Sequence, residues 1–236
     1  MVLTVVLGLL AGVITTLAGM GGGMVLVLGL ALLMEPAVAL AATGPALLVG
    51  NVHRLWMYKA EVDRGRAWRY ALGGVPGALL GGLALGVVPT LWIQVGMLAI
   101  ASLAAAKVLA GWAWTPPADA LVPGGLAVGF TASTAGGGGL IAGPMVLASG
   151  LGGRAYVATA AAGAAAVHVA RMAGYGDAGL LDVTTLQLGL VLAVLLVIGN
   201  ALGEKLRQRL DDASVSQLER GVVVGCLGLA TAGLLT

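Results

Sequence analysis

The chain has 236 residues, of which 59% are hydrophobic and only 9% are charged, and its formal net charge is +2 at pH 7. So little charge over such long apolar runs excludes a soluble globular domain and predicts an integral helical membrane protein. The single cysteine, Cys226, excludes a disulfide within the chain and a multi-cysteine metal site. We therefore expect no cofactor, no metal and no nucleic-acid partner.

Eight apolar segments follow one another along the chain, at 3–34, 36–57, 70–88, 91–112, 121–150, 154–174, 184–203 and 217–235. Six of them are near the ~20 residues that cross a hydrocarbon core as a helix. The first and the fifth are longer, and each contains a cluster of glycines near its middle: Gly19, Gly21, Gly22 and Gly23 in one, and Gly136, Gly137, Gly138 and Gly139 in the other. Each glycine costs a helix about 1 kcal/mol, so we expect two half-helices joined by a glycine loop, as a re-entrant hairpin or an unwound span.

The two halves of the sequence are related by an internal repeat. Gly12 aligns with Gly129, an offset of 117 (129 − 12), and we expect this offset to hold without a gap for about 80 residues. It pairs the Gly82–Gly86 segment with Gly199–Gly203. The pattern predicts a single membrane domain made of two repeats, at about 1–115 and about 118–236. Broken helices at matching places in a duplicated membrane protein are typical of secondary transporters, and the breaks indicate the substrate site.

Basic residues lie in different loops of the two halves. The 58–69 and 204–216 loops are rich in lysine and arginine, whereas their repeat partners, 175–183 and 87–91, have neither. By the positive-inside rule, equivalent loops then lie on opposite sides of the membrane. We predict an all-α integral membrane protein with two inverted-topology repeats, each with one glycine-broken (re-entrant or unwound) hydrophobic segment plus three transmembrane helices, and with both termini outside. Eight simple crossings are the alternative, which would place the second basic loop outside.

The glycine loops indicate an anion site. The first turn of a helix carries free N–H donors and a partial positive charge, and glycines let an anion approach the backbone. Hydroxyl side chains lie just before both loops and could complete the shell around an oxyanion: Thr15, Thr16, Ser133 and Thr134. Two alternatives stay open. The hydroxyls could bond their own helix backbone, and the glycines could serve only close helix packing.

A second polar group recurs in both halves. The 117 offset pairs Asn51 with His168 and Arg54 with Arg171, and each pair has the i, i+3 spacing of one helix face. Arginines on either side of a central site could attract an oxyanion, or they could snorkel to lipid headgroups. His168 is the candidate for proton coupling, since an ordinary imidazole titrates near neutrality. The alternative is a histidine that only satisfies a hydrogen bond.

The glycine motifs are familiar as a pair. The run Gly12-x6-Gly19-Met20-Gly21-Gly22-Gly23, with the apolar and alanine-rich runs after it, resembles the TauE/SafE family of sulfite and organosulfonate exporters. The second copy, from Gly129 to Gly139 and on to Gly143-Pro144, is similar to that family's second repeat. The resemblance implies a multi-pass carrier of small sulfur-containing anions in a prokaryotic inner membrane, commonly acting outward.

These observations favour a secondary transporter that exports sulfite or an organosulfonate by alternating access. Its expected partners are the small anion, the lipid bilayer and protons as a coupling ion, and its oligomeric state is left open, with a homodimer among the alternatives. An anion channel or passive facilitator is the competing function. We do not expect an enzyme, because Ser133 and Ser149 lack the G-x-S-x-G context of a nucleophile.

Overall fold

A computed structural model describes residues 2–18, 21–109, 117 and 119–235. Gly19, one of the predicted site residues, lies outside the described residues. Within them the chain forms one short 3-10 helix, Lys59–Glu61, and these α-helices: α1 Val2–Leu17, α2 Gly22–Ala31, α3 Pro36–Met57, α4 Arg64–Leu85, α5 Thr90–Leu109, α6 Leu121–Thr134, α7 Gly138–Ala148, α8 Gly153–Asp177, α9 Val183–Arg207 and α10 Asp212–Leu235. The all-α prediction is confirmed for the described part of the chain.

Four described helices are long and apolar enough to cross a membrane, namely Pro36–Met57, Thr90–Leu109, Val183–Arg207 and Ala213–Leu235. The helices α4 and α8 have 22 and 25 residues. At about 1.5 Å per residue each would exceed the ~30 Å of a hydrocarbon core, but both are rich in glycine and alanine and carry charged ends. The predicted six crossings therefore remain a prediction.

Both long apolar segments break at their glycine clusters, as the sequence predicts, and each forms a helical hairpin. In the first, α2 folds back along α1, so that Gly22 lies against Thr15 and Gly29 against Leu7. In the second, α7 folds back along α6, and a Cβ on Gly138 would lie 2.6 Å from the Cβ of Ala132. The chain turns at Gly21 (φ 89°), Gly136 (φ 73°) and Gly137 (φ 70°). Residues with a Cβ rarely adopt this left-handed conformation, which explains the glycines.

Glycines also bring the two halves into close contact. The helix α1 packs in parallel along α9, where Gly12 touches the Leu196 carbonyl and Gly203 approaches the Val13 carbonyl. In the same way α6 packs along α4, where Gly129 touches the Gly74 carbonyl. The absence of a side chain at these positions lets the helix backbones meet directly, as is common in membrane bundles.

The helix directions divide the bundle into two sets. Gly50 of α3 packs on Leu196 of α9, and Gly163 of α8 packs on Tyr70 of α4, both in parallel arrangements. In contrast, α3 and α8 run antiparallel. Arg171, late in α8, donates to the carbonyl of Leu40, early in α3, whereas Asp63, which follows α3 in the chain, donates its N–H to Thr159 near the beginning of α8. The helices α1, α3 and α9 therefore run in one direction, and α4, α6 and α8 in the other.

The contacts correct the predicted repeat alignment. Equivalent contacts keep the 117 offset in α1, α3, α6 and α8, but α4 and α9 follow an offset of 122. Gly12 contacts Leu196 in α9, and its repeat partner Gly129 makes the same contact with Gly74 in α4. Leu196 and Gly74 are therefore equivalent, and their offset is 196 − 74 = 122. Gly203 and Gly81 give the same difference. The second half thus has five additional residues before its fourth helix, and pairing Gly82–Gly86 with Gly199–Gly203 was wrong.

The predicted basic loops also need correction. The helix α4 begins at Arg64, so Arg64, Arg66 and Arg69 lie in its first turns instead of a loop. Asp63 marks the beginning of this helix in the sequence, because its carboxylate accepts a hydrogen bond from the Arg66 N–H (2.8 Å) and caps the helix. A hydrogen bond from the Tyr58 hydroxyl to Glu204 places both basic segments at the same end of the bundle.

Candidate functional site

The two hairpin loops meet at a buried cavity of about 100 Å³ in the middle of the helix bundle. Gly21 and Gly23 line it from the first hairpin, and four consecutive residues from Gly136 to Gly139 line it from the second. The remaining walls come from α1, α3, α4, α6 and α8. The structure therefore brings together the two glycine clusters, which are more than a hundred residues apart in the sequence.

Both half-helices direct their N-termini toward this cavity. The helix α2 follows its N-cap residue Gly21, α7 follows Gly137, and neither cap has a side chain that accepts a hydrogen bond from the first turn. The first backbone bonds back to the caps come from Met24 (3.0 Å) and Leu140 (2.8 Å). The earlier N–H groups of each helix have no acceptor among the described residues, so they are donors for an anion, and the helix dipoles favour a negative charge there.

Arg54 lies on α3 beside the first loop and is only 8% exposed. Its Nη2 donates to the Asn51 side chain (2.5 Å) and its Nη1 donates weakly to the Thr15 carbonyl (3.4 Å). The Nε group is buried and has no hydrogen-bond partner among the residues that the structure describes. A buried donor without an acceptor is costly, so this guanidinium has spare capacity for a ligand.

Arg171, the repeat partner of Arg54, lies on α8 and is 1% exposed. Its Nη2 donates to the Leu40 carbonyl (2.8 Å) and its Nε donates to the Tyr175 hydroxyl (3.1 Å). The same guanidinium lies 5.1 Å from the centre of the Tyr175 ring, a cation–π contact. Arg171 is therefore held more firmly by the protein than Arg54.

No carboxylate pairs with either cavity arginine in the part of the chain that the structure describes. The ion pair found there joins Arg66 to Asp63 (2.5 Å), outside the cavity at the end of the bundle. Burying a cation away from water is expensive unless an opposite charge offsets it. Two buried guanidinium groups that face one cavity without a counter-ion therefore favour a bound anion.

Asn51 and His168 line the cavity as predicted. Asn51 donates to the Leu47 carbonyl (2.7 Å), which orients its oxygen toward Arg54. The Nδ1 atom of His168 lies 3.5 Å from Nη1 of Arg171. Arginine can only donate, so Nδ1 is the acceptor in this contact and the proton of a neutral ring lies on Nε2.

The four predicted hydroxyls are less well placed than expected. Only Thr15 lines the cavity, and its hydroxyl donates to the Ala11 carbonyl (2.6 Å). Thr16 donates to Asn200 (3.1 Å), Ser133 to backbone carbonyls of Ala78 and Gly129, and Thr134 to the Phe130 carbonyl. The hydroxyl hydrogens are committed to the protein. The backbone-bonding alternative describes Thr15, Ser133 and Thr134, whereas Thr16 bonds a side chain of another helix.

The predicted glycines divide by role. Gly22 does not line the cavity but presses against α1, where a Cβ would collide with the Thr15 hydroxyl and the Ala11 carbonyl. Gly139 lines the cavity, and a Cβ there would meet nothing within 4 Å. Packing therefore explains Gly22, whereas Gly139 leaves open space beside the helix N-terminus.

Sequence reasoning missed two tyrosines of the cavity wall. Tyr70 and Tyr156 both line it, and they are 2% and 7% exposed. Each lies near the beginning of an apolar segment, where an aromatic residue is ordinarily interpreted as an interfacial anchor. Only the tertiary packing of α4 against α8 turns them inward.

Hairpins that direct two helix N-termini into one cation-lined cavity are typical of multi-pass membrane transporters of small anions. A family model described as sulfite exporter TauE/SafE matches residues 4–233, and the chain belongs to that family. The resemblance inferred from the glycine motifs is thereby confirmed. The family consists of membrane transporters that export sulfite or related anions. No curated protein and no solved structure matches the chain.

Proposed function

We propose that this protein is a secondary transporter that exports sulfite or an organosulfonate across a prokaryotic inner membrane by alternating access. The anion is held in the central cavity between the N-termini of α2 and α7. Arg54 supplies the main charge to it in this conformation, and Asn51 holds that guanidinium in place. Family membership supports the class of substrate, and the cavity supports the position of the site.

One observation carries this proposal, namely the two buried arginines that share a cavity without a carboxylate in the described part of the chain. Each guanidinium presents a planar fork of donors that matches the oxygens of a sulfite or sulfonate group. The nearby backbone N–H groups add donors without adding a permanent charge. Such a site binds an oxyanion strongly enough to desolvate it, while an uncharged solute would leave the cations uncompensated.

We further propose that the single membrane domain consists of two inverted repeats, at about 1–115 and about 118–236. The opposite directions of the equivalent helices α3 and α8 support this, because a repeat related by an axis along the membrane normal would keep them parallel. In this topology α1–α2 and α6–α7 are re-entrant hairpins, and six helices cross the bilayer.

The basic residues orient this topology. The hydrogen bond between Tyr58 and Glu204 joins the two lysine- and arginine-rich segments at one end, which we assign to the cytoplasm.

Single cysteines at positions 62, 180 and 207, in a Cys226→Ala background, test the assignment with a membrane-impermeant thiol reagent. We expect positions 62 and 207 to label from the cytoplasmic side and position 180 from the outside. Labelling of position 207 from the outside would exclude the inverted topology.

The transport activity is tested by sulfite and sulfonate counterflow in proteoliposomes. We expect saturable exchange of labelled sulfite against unlabelled sulfite inside the vesicles. Flux that neither saturates nor shows counterflow would identify a channel or passive facilitator instead. Absence of exchange for every sulfur oxyanion would overturn the proposed substrate, and other small anions would then be compared in the same vesicles.

A further inference from the structure

The two halves hold their equivalent arginines differently. In the second half, Arg171 donates to the Tyr175 hydroxyl, and Tyr175 donates onward to the Ser133 carbonyl (2.7 Å). Arg171 also reaches across to the Leu40 carbonyl. Ser133, Tyr175 and Leu40 are fully buried. This chain of hydrogen bonds joins α8 to α6 and α3 beside Arg171, which lines the cavity.

The first half has an arginine and a tyrosine at the equivalent positions but not the same bonds. The 117 offset makes Tyr58 the equivalent of Tyr175, Thr16 of Ser133 and Val157 of Leu40. Tyr58 instead donates to Glu204 at the end of the bundle, and the Arg154 guanidinium lies 5.9 Å from the centre of its ring. Val157 lines the cavity. The equivalent hydrogen-bond chain is therefore absent at this end, as far as the structure describes it.

The shape of the cavity follows the same asymmetry. Along α8 it extends from Arg171 past Ala164 and Ala160 to Tyr156, toward the end of the bundle that carries Tyr58 and Glu204. Along the equivalent part of α3 it reaches only Leu47, the partner of Ala164. Beyond that point Thr43 is fully buried. The cavity thus extends toward the cytoplasmic end and stops short of the other.

We infer that Arg54 and Arg171 exchange roles during transport, so that one binds the anion while the other closes the opposite end through its tyrosine. In the state described here, Arg171 and Tyr175 form the latch and Arg54 faces the anion. In the outward-facing state, Tyr58 leaves Glu204 and bonds the Thr16 carbonyl, while Arg54 donates to Tyr58 and to the Val157 carbonyl. This inference rests on the proposed function and assigns substrate and gate contacts within that same site.

A physical reason couples the two roles. A guanidinium has five N–H donors in a fixed plane, and a latch to a tyrosine and a carbonyl uses the donors that an oxyanion would occupy. An arginine that latches is therefore a poorer anion ligand, and binding the anion competes with closing that end. A ligand shifts a conformational equilibrium only through such differential contacts with the two states.

The latch is tested by cysteine labelling without any substrate. Single cysteines replace Thr43 and Ala160, which occupy equivalent positions in the two halves, in a Cys226→Ala background. Tyr175→Phe removes the latch hydroxyl. We then expect the ratio of labelling at position 43 to labelling at position 160 to rise about fivefold, the effect of one net hydrogen bond. As a control, Thr131→Val removes a hydroxyl bonded within α6 and leaves the ratio unchanged.

A second pair of variants keeps the test independent of Tyr175. Glu204→Ala frees Tyr58 to form the outward-facing latch, so the labelling ratio should rise by a similar factor. Adding Tyr58→Phe to Glu204→Ala should cancel that rise, because the freed hydroxyl is then missing. Two results would overturn the exchange of roles. One is a rise in the labelling ratio that persists when Tyr58→Phe is added to Glu204→Ala. The other is an unchanged ratio in both Tyr175→Phe and Glu204→Ala.

The two proposals fail in distinguishable ways. If the labelling ratio changes as expected but no sulfur oxyanion is exchanged, the exchange of roles between the arginines is retained and the proposed substrate is refuted. If sulfite exchange is saturable but the labelling ratio is the same in every variant, the proposed transport function is retained and the exchange of roles between the arginines is refuted. Size-exclusion elution like that of the unsubstituted protein is required of each variant before labelling is compared.

Discussion

In the two glycine hairpins, the glycine that packs on the first helix differs by one position within the cluster. Gly22 packs on Ala11 and Thr15 of α1, and its counterpart Gly138 packs on Val128 and Ala132 of α6. The packing partners differ by 117 residues, but the glycines differ by only 116. The helix start is therefore set by which glycine can approach the first arm of the hairpin.

The next glycine of each cluster then falls at the cavity. A Cβ on Gly23 would lie 3.2 Å from a methyl group of Leu47, whereas a Cβ on Gly139 would meet nothing within 4 Å. Both residues line the cavity. The comparison shows that neighbouring glycines in one cluster serve different purposes, and that the second hairpin leaves more room for a ligand than the first.

The strongest test of this difference between packing glycines and cavity glycines is to substitute one of each kind. Gly139→Leu should abolish sulfite counterflow in folded protein, because a Cβ at this position meets nothing within 4 Å and the rest of the side chain occupies the cavity. Gly22→Leu and Gly138→Leu should instead lose folded protein, since each would force a hairpin apart. Counterflow and size-exclusion elution are measured together.

Gly176→Leu is the matched control for the open site. It lies on α8, has no atom within 4 Å of a Cβ and does not line the cavity. We expect it to keep both folding and exchange. Wild-type exchange by Gly139→Leu would contradict the assignment of the second hairpin to the anion site.

A smaller effect should separate the two arginines. Arg54→Gln should lower sulfite exchange about a hundredfold, since removing one partner of a buried charged contact costs about 2–5 kcal/mol. It should not lower the apparent unfolding temperature, because it removes a buried cation whose Nε lacks a partner. Arg171→Gln should lower both, since the Leu40 carbonyl and the Tyr175 hydroxyl lose their donor.

Arg64→Gln, at the exposed start of α4, is the control for loss of a positive charge. It should change neither exchange nor the unfolding temperature. Equal losses of stability in Arg54→Gln and Arg171→Gln would show that the two halves hold their arginines alike, against the structure.

The histidines allow a finer comparison. His168 lines the cavity and His53 does not, and they are the two histidines of the chain. If His168 carries the coupling proton, a step that needs this proton changes its rate about tenfold for each pH unit beyond the titration. We expect His168→Gln to slow exchange and flatten its pH dependence, and His53→Gln to leave both unchanged. Unchanged pH dependence in His168→Gln would exclude it as the coupling group.

The smallest effect concerns the caps of the fourth helix in each half. Hydrogen bonds from the backbone and side chain of Arg66 lower the pKa of Asp63, and those from Thr185 lower the pKa of Asp182. A carboxyl whose pKa is lower in the folded state stabilises the protein above its unfolded pKa, and this contribution is lost as the pH falls through the folded pKa.

We therefore expect the unfolding temperature to fall below about pH 4. Replacing both aspartates by asparagine keeps the caps but should reduce that fall by about 1–2 °C. An acid-induced fall that is identical in the double variant would show that other carboxyl groups are responsible.

The sequence predicted much of the fold because its signals are local. Apolar length gives the long helices, and the glycine clusters near Gly21 and Gly137 give the two breaks. The segment 36–57 coincides with α3. The repeat alignment failed where a constant offset along the chain was assumed to give equivalent positions in space, as in the pairing of Gly82 with Gly199. Runs of small residues can be aligned in more than one register, whereas helix packing allows only one.

The sequence by itself determined a helical membrane protein and its family, and it predicted an internal repeat and the residue types of an anion site. It did so because hydropathy, glycine and charge act within one or two helical turns. Only the tertiary structure decided which donors remain free. It commits the hydroxyls of Ser133 and Thr134 to backbone carbonyls, turns Tyr70 and Tyr156 inward, and gives equivalent arginines different partners. The internal repeat predicts equal halves, but the partners of a side chain depend on the packing of distant helices, and in this conformation Arg54 and Arg171 make different contacts.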